Sequence, residues 1–259
     1  MTKRNSTSIN PSKQIKIGDV FNTNEGGQVV VLEYINRRNV RIKHLDDSAH
    51  VMLTESCQLR SGQIKNPYHP SVVGIGYLGV GKFAPKINNT PTDEYKHWIC
   101  MLGRCYGKSA TDVCPSYTDC LVCDDWLCYQ NFAEWVSGYK YNGVKYELDK
   151  DLLVRGNKVY SPKNCAMVPQ CINKILSNTT NILGPYPLGV TFRKENGKFL
   201  AQININSKRR HLGYYSTPEE AHKAYKVAKE AHVKEKALEW RSKIAPNVFD
   251  ALMNWTVNP

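Results

Sequence analysis

The fold turns on one stretch: Gly197-Lys198-Phe199-Leu200-Ala201-Gln202-Ile203-Asn204-Ile205, then Lys208-Arg209-Arg210-His211-Leu212-Gly213-Tyr214-Tyr215, then Ser216-Thr217-Pro218-Glu219-Glu220-Ala221. In its first part Phe199, Ala201, Ile203 and Ile205 alternate with Leu200, Gln202, Asn204 and Asn206. That period of two marks a strand with one buried and one polar face. β character extends over residues 184–216 and stops where a helix is announced. Thr217 stands as N-cap, Pro218 at the first helical position and Glu220 three residues after the cap, which completes a capping box. Ala221, Ala224, Tyr225 and Ala228 form the apolar stripe, and the small alanines let the helix lie close to the strands. Lys223, Lys226, Lys229 and Lys234 are expected on its solvated side. The stretch therefore reads as a three-stranded sheet backed by one helix.

Charge is concentrated in the same place. Residues 184–245 hold 13 Lys or Arg against 6 Glu, a net of +7 out of +12 for the 259-residue chain. A surplus of this size attracts polyanions, so nucleic acid is the expected partner. A membrane is not expected, because no apolar run approaches the ~20 residues a spanning helix needs. Residues 1–14, with Lys3, Arg4, Ser6, Ser8 and Pro11, read as a disordered basic tail and not as a signal, so a cytoplasmic location is expected. There the nine cysteines are kept reduced, which points to metal binding or burial and not to disulfides.

Further toward the N-terminus, residues 15–88 alternate short β-rich runs with turns: Ile15–Phe21, Gly26-Gly27, Gln28–Tyr34, Asn36–Asn39 and Val40–Leu45. This predicts a small β-barrel-like module. The run Gly74-Ile75-Gly76-Tyr77-Leu78-Gly79 has the letters of a dinucleotide fingerprint, but Pro85 stands where the phosphate-binding helix would start, so tight turns are expected instead. Two helices are expected in residues 89–180. One spans Thr92–Tyr106 with Tyr95, Trp98, Ile99 and Leu102 on one stripe, and the other Asp124–Ser137 with Trp126, Tyr129, Ala133 and Val136. His97 projects away from the first stripe, toward the surface or a site.

The anchors Gly189-Val190-Thr191-Phe192-Arg193, Gly197–Ile203, His211–Tyr215, Glu219-Glu220-Ala221 and Ala224-Tyr225 closely resemble the plant ethylene-response-factor DNA-binding domain over about 50 residues, a domain also carried by phage homing endonucleases. The resemblance implies that the sheet enters the major groove of double-stranded DNA, where base edges are distinguishable. It makes Arg193, Gln202, Asn204 and Arg210 candidates for base or phosphate contact. Lys194, Lys198, Lys208 and Arg209, near turns, are candidates for phosphate contact, which positions without specifying sequence. Phe199 replaces the family's usual tryptophan, and the arginine set is thinner.

A second resemblance lies in the middle of the chain. Leu148-Asp149-Lys150-Asp151, Gly156-Asn157-Lys158 and Asn164-Cys165 through Asn173 resemble the HNH motif of ββα-metal nucleases. It implies that Asp149 and Asn173 hold one divalent cation, Mg or Mn, while Asn164 pins the hairpin loop. The family's base histidine is replaced by Lys150, and a protonated lysine cannot take a proton from water. Three routes stay open: Lys150 is neutral through burial, Asp151 or His97 acts as base, or the hairpin no longer cleaves. Cysteines crowd this region, Cys105, Cys114, Cys120, Cys123, Cys128, Cys165 and Cys171. By likeness to phage resolving nucleases, Cys120, Cys123, Cys165 and Cys171 are candidates for a structural zinc site. Trp98, Met101, Arg104-Cys105-Tyr106, Pro115-Ser116-Tyr117, Cys120 and Trp126 together also look like a group of phage proteins described as HNH-like.

The expectation is thus an α+β multidomain chain: a β-barrel-like module (15–88), a ββα-metal-like module (89–180), a sheet-plus-helix DNA reader (184–245) and a C-terminal tail (246–259). The function expected is that of a DNA-binding, metal-dependent HNH-like endonuclease of the homing type. The alternative is a DNA-binding regulator that keeps the nuclease-like scaffold without the chemistry.

Overall fold

The computed structural model describes residues 14–107, 117–139, 143–176 and 185–257, so most of the expected basic tail, together with Cys114, Pro115 and Ser116, lies outside the described residues. The chain divides into two compact units. One comprises residues up to Phe83 with Leu127–Gln130, the other Ala84–Trp126 with Asn131 onward. The architecture is mixed α and β.

In the first unit, β1 (Val20–Asn22), β2 (Gln28–Asn36), β3 (Asn39–His44) and β4 (Val51–Thr54) form an antiparallel meander in sequence order, followed by α1 (Ser56–Ser61). Val29, Val31, Val40 and Ile42 bury one face with Phe21, Leu59 and Ile64. The expected barrel is corrected to an open sheet, because β1 and β4 are its two edges and do not pair with each other. A four-stranded meander is too narrow to close on itself, so its core is finished from one side by Leu59 of α1 and by Ile64. The glycine run is turn and bridge, as the position of Pro85 predicts. Gly79 has φ +69°, and a Cβ there would lie 2.6 Å from Cys128 Sγ, so only glycine fits.

The second unit opens with a short hairpin, β5 (Lys86–Ile87) and β6 (Thr90–Pro91), and then α2 (Asp93–Tyr106). The Oγ1 of Thr92 caps α2 by accepting from the Tyr95 N–H at 3.3 Å. Its buried stripe is Glu94, Trp98, Met101 and Leu102, rotated by about a residue from the expected one, and Trp98 Nε1 donates to the Trp126 carbonyl at 2.7 Å. After β7 (Leu121–Val122), the expected second helix is two, α3 (Asp124–Leu127) and α4 (Tyr129–Ser137), interrupted at Cys128.

Next comes the hairpin, β8 (Tyr146–Asp149) against β10 (Ala166–Pro169), antiparallel with Asp149 opposite Ala166. The intervening β9 (Val159–Tyr160) pairs parallel with β7. α5 (Gln170–Leu176) follows β10 without a break. The sheet β11 (Val190–Arg193), β12 (Lys198–Ile205), β13 (Lys208–Tyr215) is antiparallel in sequence order. It is backed by the 22-residue α6 (Pro218–Glu239), whose capping box at Thr217 and Glu220 forms as predicted. Gly189 has φ +81°, and a Cβ would lie 2.1 Å from the Tyr225 ring, so the helix reaches the sheet only because that position is glycine.

α6 belongs to two cores at once. Its first half sets Tyr225 and Ala228 against Ile203, Ile205 and Leu212 of the sheet. Its second half sets Val233 and Ala237 against Ala166, Val168 and Ile172 of β10 and α5. The expected C-terminal tail is corrected as well: residues 246–253 form α7 (Pro246–Met253), with Val248 and Leu252 fully buried in the second of these cores. Alternating apolar residues at 248, 249, 252 and 253 give that helix a face to bury, which a polar tail lacks. The segment after it is held too, as the Arg155 guanidinium donates to the Thr256 carbonyl at 2.7 Å.

Candidate functional site

On the sheet, register decides which side chains share a face, because directly paired residues point the same way. Arg193 pairs with Lys198, Thr191 with Leu200, and Asn204 with Arg209, all on the face opposite Ile203 and Ile205. Between Ala201 and Gln202 the register slips by one: β13 carries an extra residue, Leu212, and His211 comes to pair with Gln202. The slip moves Arg210 opposite Ile203, onto the helix-facing side. Arg210 is exposed there, so its expected place beside Gln202 and Asn204 is corrected, and His211, missed in the sequence, stands in that place. Leu200 shares the polar face but is fully buried, so the polar surface divides around it. Arg193 and Lys198 lie at one end, and Gln202, Asn204, Arg209 and His211 at the other.

Lys194, Lys198, Lys208, Arg209 and Arg210 are exposed, and neither they nor Arg193 form an ion pair among the described residues. Unpaired cations lined along two strands keep their full field for an outside anion.

The hairpin places its side chains differently from the expectation. Asp149 is largely desolvated, and its Oδ1 accepts the N–H groups of Asp151 and Leu152, each at 2.8 Å. Burial pushes its carboxyl above the ordinary range, against the pull of those two bonds. The carboxylate thus closes its own turn. Lys150 is 8% exposed, and its Nζ donates to both oxygens of Asp151 at 2.8 and 2.9 Å and to the Asn157 carbonyl at 3.0 Å. These three contacts hold the Lys150 Nζ inside the hairpin. Asn164 Nδ2 donates to Asn157 Oδ1 at 3.2 Å, and Asn157 in turn exchanges hydrogen bonds with the backbone of Val159. The two asparagines knit the loop together.

Asn173 finds a partner other than Asp149: its Nδ2 donates to Glu147 Oε2 at 2.7 Å, and Gln170 Nε2 donates to Glu147 Oε1 at the same distance. Burial pushes Glu147 up, but these two bonds prevail and hold its carboxyl below the ordinary value. Glu147 carried no signal in the sequence beyond its place two residues before Asp149, on the same strand face. Together with Asn173, His97 and Arg104 it lines a cavity of about 640 Å³. Burial holds His97 below its ordinary pKa against the opposing pull of Asp93 and Glu147, so His97 is neutral at neutral pH.

Asp149 Oδ1 accepts from the backbone and Asn173 Nδ2 donates to Glu147, bonds that involve neither Asp149 Oδ2 nor Asn173 Oδ1. Among the four candidate zinc ligands, Cys120 and Cys165 are buried, Cys123 is half-buried and Cys171 is exposed, close enough to Lys236 of α6 to influence it. Burial pushes the Cys165 thiol up to about 12. Among the described residues no three His, Cys, Asp or Glu side chains gather as a metal site.

No helix of the described residues is long and apolar enough to cross a membrane. Compared with family models, characterised proteins and solved structures, the chain matches none.

Proposed function

We propose that the chain is a DNA-binding protein that lays the β11–β13 sheet against duplex DNA and keeps the nuclease-like hairpin as scaffold. The observation that carries this is the unpaired cationic and amide surface of β12 and β13, with Arg209 and His211 in register with Asn204 and Gln202. Amides read base edges, and guanidinium groups hold guanine or phosphate. Of the two readings of the hairpin, the non-catalytic one is favoured by Lys150, whose ammonium is locked in a structural ion pair where a base is needed.

The test is duplex binding by the whole chain across a salt series, with plasmid incubation alongside. Affinity should fall steeply with salt, as neutralised phosphates release counterions. Arg193→Glu with Arg209→Glu should abolish most binding, whereas Arg210→Ala should weaken it without changing sequence preference. Plasmid should survive with magnesium or manganese, for the parent and for Lys150→His alike. Indifference to DNA at low salt would sink the binding reading, and metal-dependent nicking by the parent would sink the scaffold reading.

A further inference from the structure

Beyond the sheet's polar face, a second cationic feature lies at the free edge of β12. β11 is only four residues long, and beyond the bond from the Gln202 N–H to the Gly189 carbonyl at 2.9 Å, Ile203 to Ile205 leave that edge uncovered by a strand. Facing it are two helical stripes. Lys229, His232 and Lys236 recur at i, i+3 and i+7 on α6, and Cys171, Lys174 and Ile175 at i, i+3 and i+4 on α5. Between them opens a cleft of about 590 Å³, walled by these stripes, by Gln202 and Asn204, and by Arg209 across the β12–β13 turn. Lys174, Arg209, Lys229 and Lys236 line it, and no carboxylate does. Two of the lining groups already carry acidic partners, Lys236 with Glu239 at 2.5 Å and His232 with Glu235 at 3.3 Å, while Glu147 is held by Asn173 and Gln170, with Lys174 near enough to influence it.

Two groups in this cleft lack partners. Lys229 is half-buried yet makes no hydrogen bond or ion pair among the described residues, and burial holds its pKa below the ordinary value. A desolvated cation without a counter-charge is costly, and an anion in the cleft removes the cost. Gln202 Oε1 is buried and unbonded, while its Nε2 donates to Thr191 Oγ1 at 3.3 Å.

We propose that this cleft holds backbone phosphates of the bound nucleic acid, a grip that adjoins the sheet's polar face through Gln202, Asn204 and Arg209 and is shared between the sheet module and the hairpin module. The proposal rests on the DNA-binding reading above. It adds a sequence-independent contact on the α5 and α6 side, where that reading places none. It also assigns Lys229 to the ligand, although its helical position suggested a solvated lysine.

The experiment compares the whole chain with Lys229→Gln/Lys236→Gln on two duplexes of unrelated sequence, measuring affinity from low to moderate salt. The double variant should lose affinity equally on both duplexes, and its log–log salt slope should become shallower by about one unit per lost phosphate contact. Lys229→Arg/Lys236→Arg, with charge retained, should stay near the parent. Amine-reactive labelling of the parent, read by mass spectrometry, should show duplex protecting Lys229 but not Lys223. An unchanged slope with Lys229 unprotected, in a protein that still binds duplex, overturns the cleft and leaves the sheet reading standing. A parent that binds no duplex at low salt overturns that reading and this one together.

Discussion

Asp149 shows how one carboxylate can satisfy a motif and still serve the backbone. Its Oδ1 closes a turn on Asp151 and Leu152, and burial raises its proton affinity. For a carboxyl whose folded pKa lies above its unfolded one, the folded state binds more protons between the two values. Stability is therefore lost as pH rises through the unfolded value, and the loss is complete above the folded one. Asp149→Asn keeps the acceptor and removes the titration. Urea unfolding of that variant should show stability at pH 7 equal to or above the parent, with a smaller decline from acid to neutral pH. Magnesium should leave the melting temperature of both unchanged; a magnesium-induced rise in the parent that the variant lacks would restore Asp149 as a metal ligand. The resemblance to the HNH motif singled out Asp149, Asn164 and Asn173 and implied that Asn164 pins the loop, where its Nδ2 donates to Asn157 Oδ1. The directions of their side chains were not legible, because an aspartate two and three residues ahead of free N–H groups has a local alternative to any distant ligand.

At the scale of elements, the end of β13 and the start of α6 follow local rules and were legible in full. Thr217, Pro218 and Glu220 fix the boundary through hydrogen bonds that span only three residues. Thr217→Ala should lower stability by about 0.5–2 kcal/mol, measured by urea unfolding, since it strips a partner from the first turn of a helix that two cores depend on. A variant as stable as the parent would mean that packing alone sets that end. The face of Arg210 was missed. In an unslipped ladder it would pair with Asn204, and the extra residue at Leu212 turns it to the other side. The isolated Gly213, with φ +139° beside the extra Leu212, is a sequence signal for a bulge that the reading did not use, and Leu212 packs with Ile203 and Tyr225. The open meander was missed because alternation within β2 and β3 reports a buried face, and closure depends on strand number.

For the second unit as a whole, the decisive element is α6, which is sheet backing at one end and hairpin core at the other. Ending the chain after Leu176 removes Val233, Ala237, Val248 and Leu252 from around Ala166, Val168 and Ile172. Such a fragment should aggregate or unfold without a cooperative transition, as judged by circular dichroism and light scattering. A well-folded, cooperatively melting fragment would show the hairpin module to be self-sufficient. Charge clustering and the start of the helix were visible in the sequence, but a stripe of Val233 and Ala237 does not reveal which module will cover it. From Tyr225 to Ala237 α6 rises about 18 Å at 1.5 Å per residue, which equals roughly five base pairs of B-form duplex at 3.4 Å each. The helix is thus a ruler with fixed graduations. On the DNA-binding reading proposed above, a sheet module and a hairpin module cast on one rod keep a fixed offset from each other, whereas modules joined by a loose tether can stretch across sites of varied spacing.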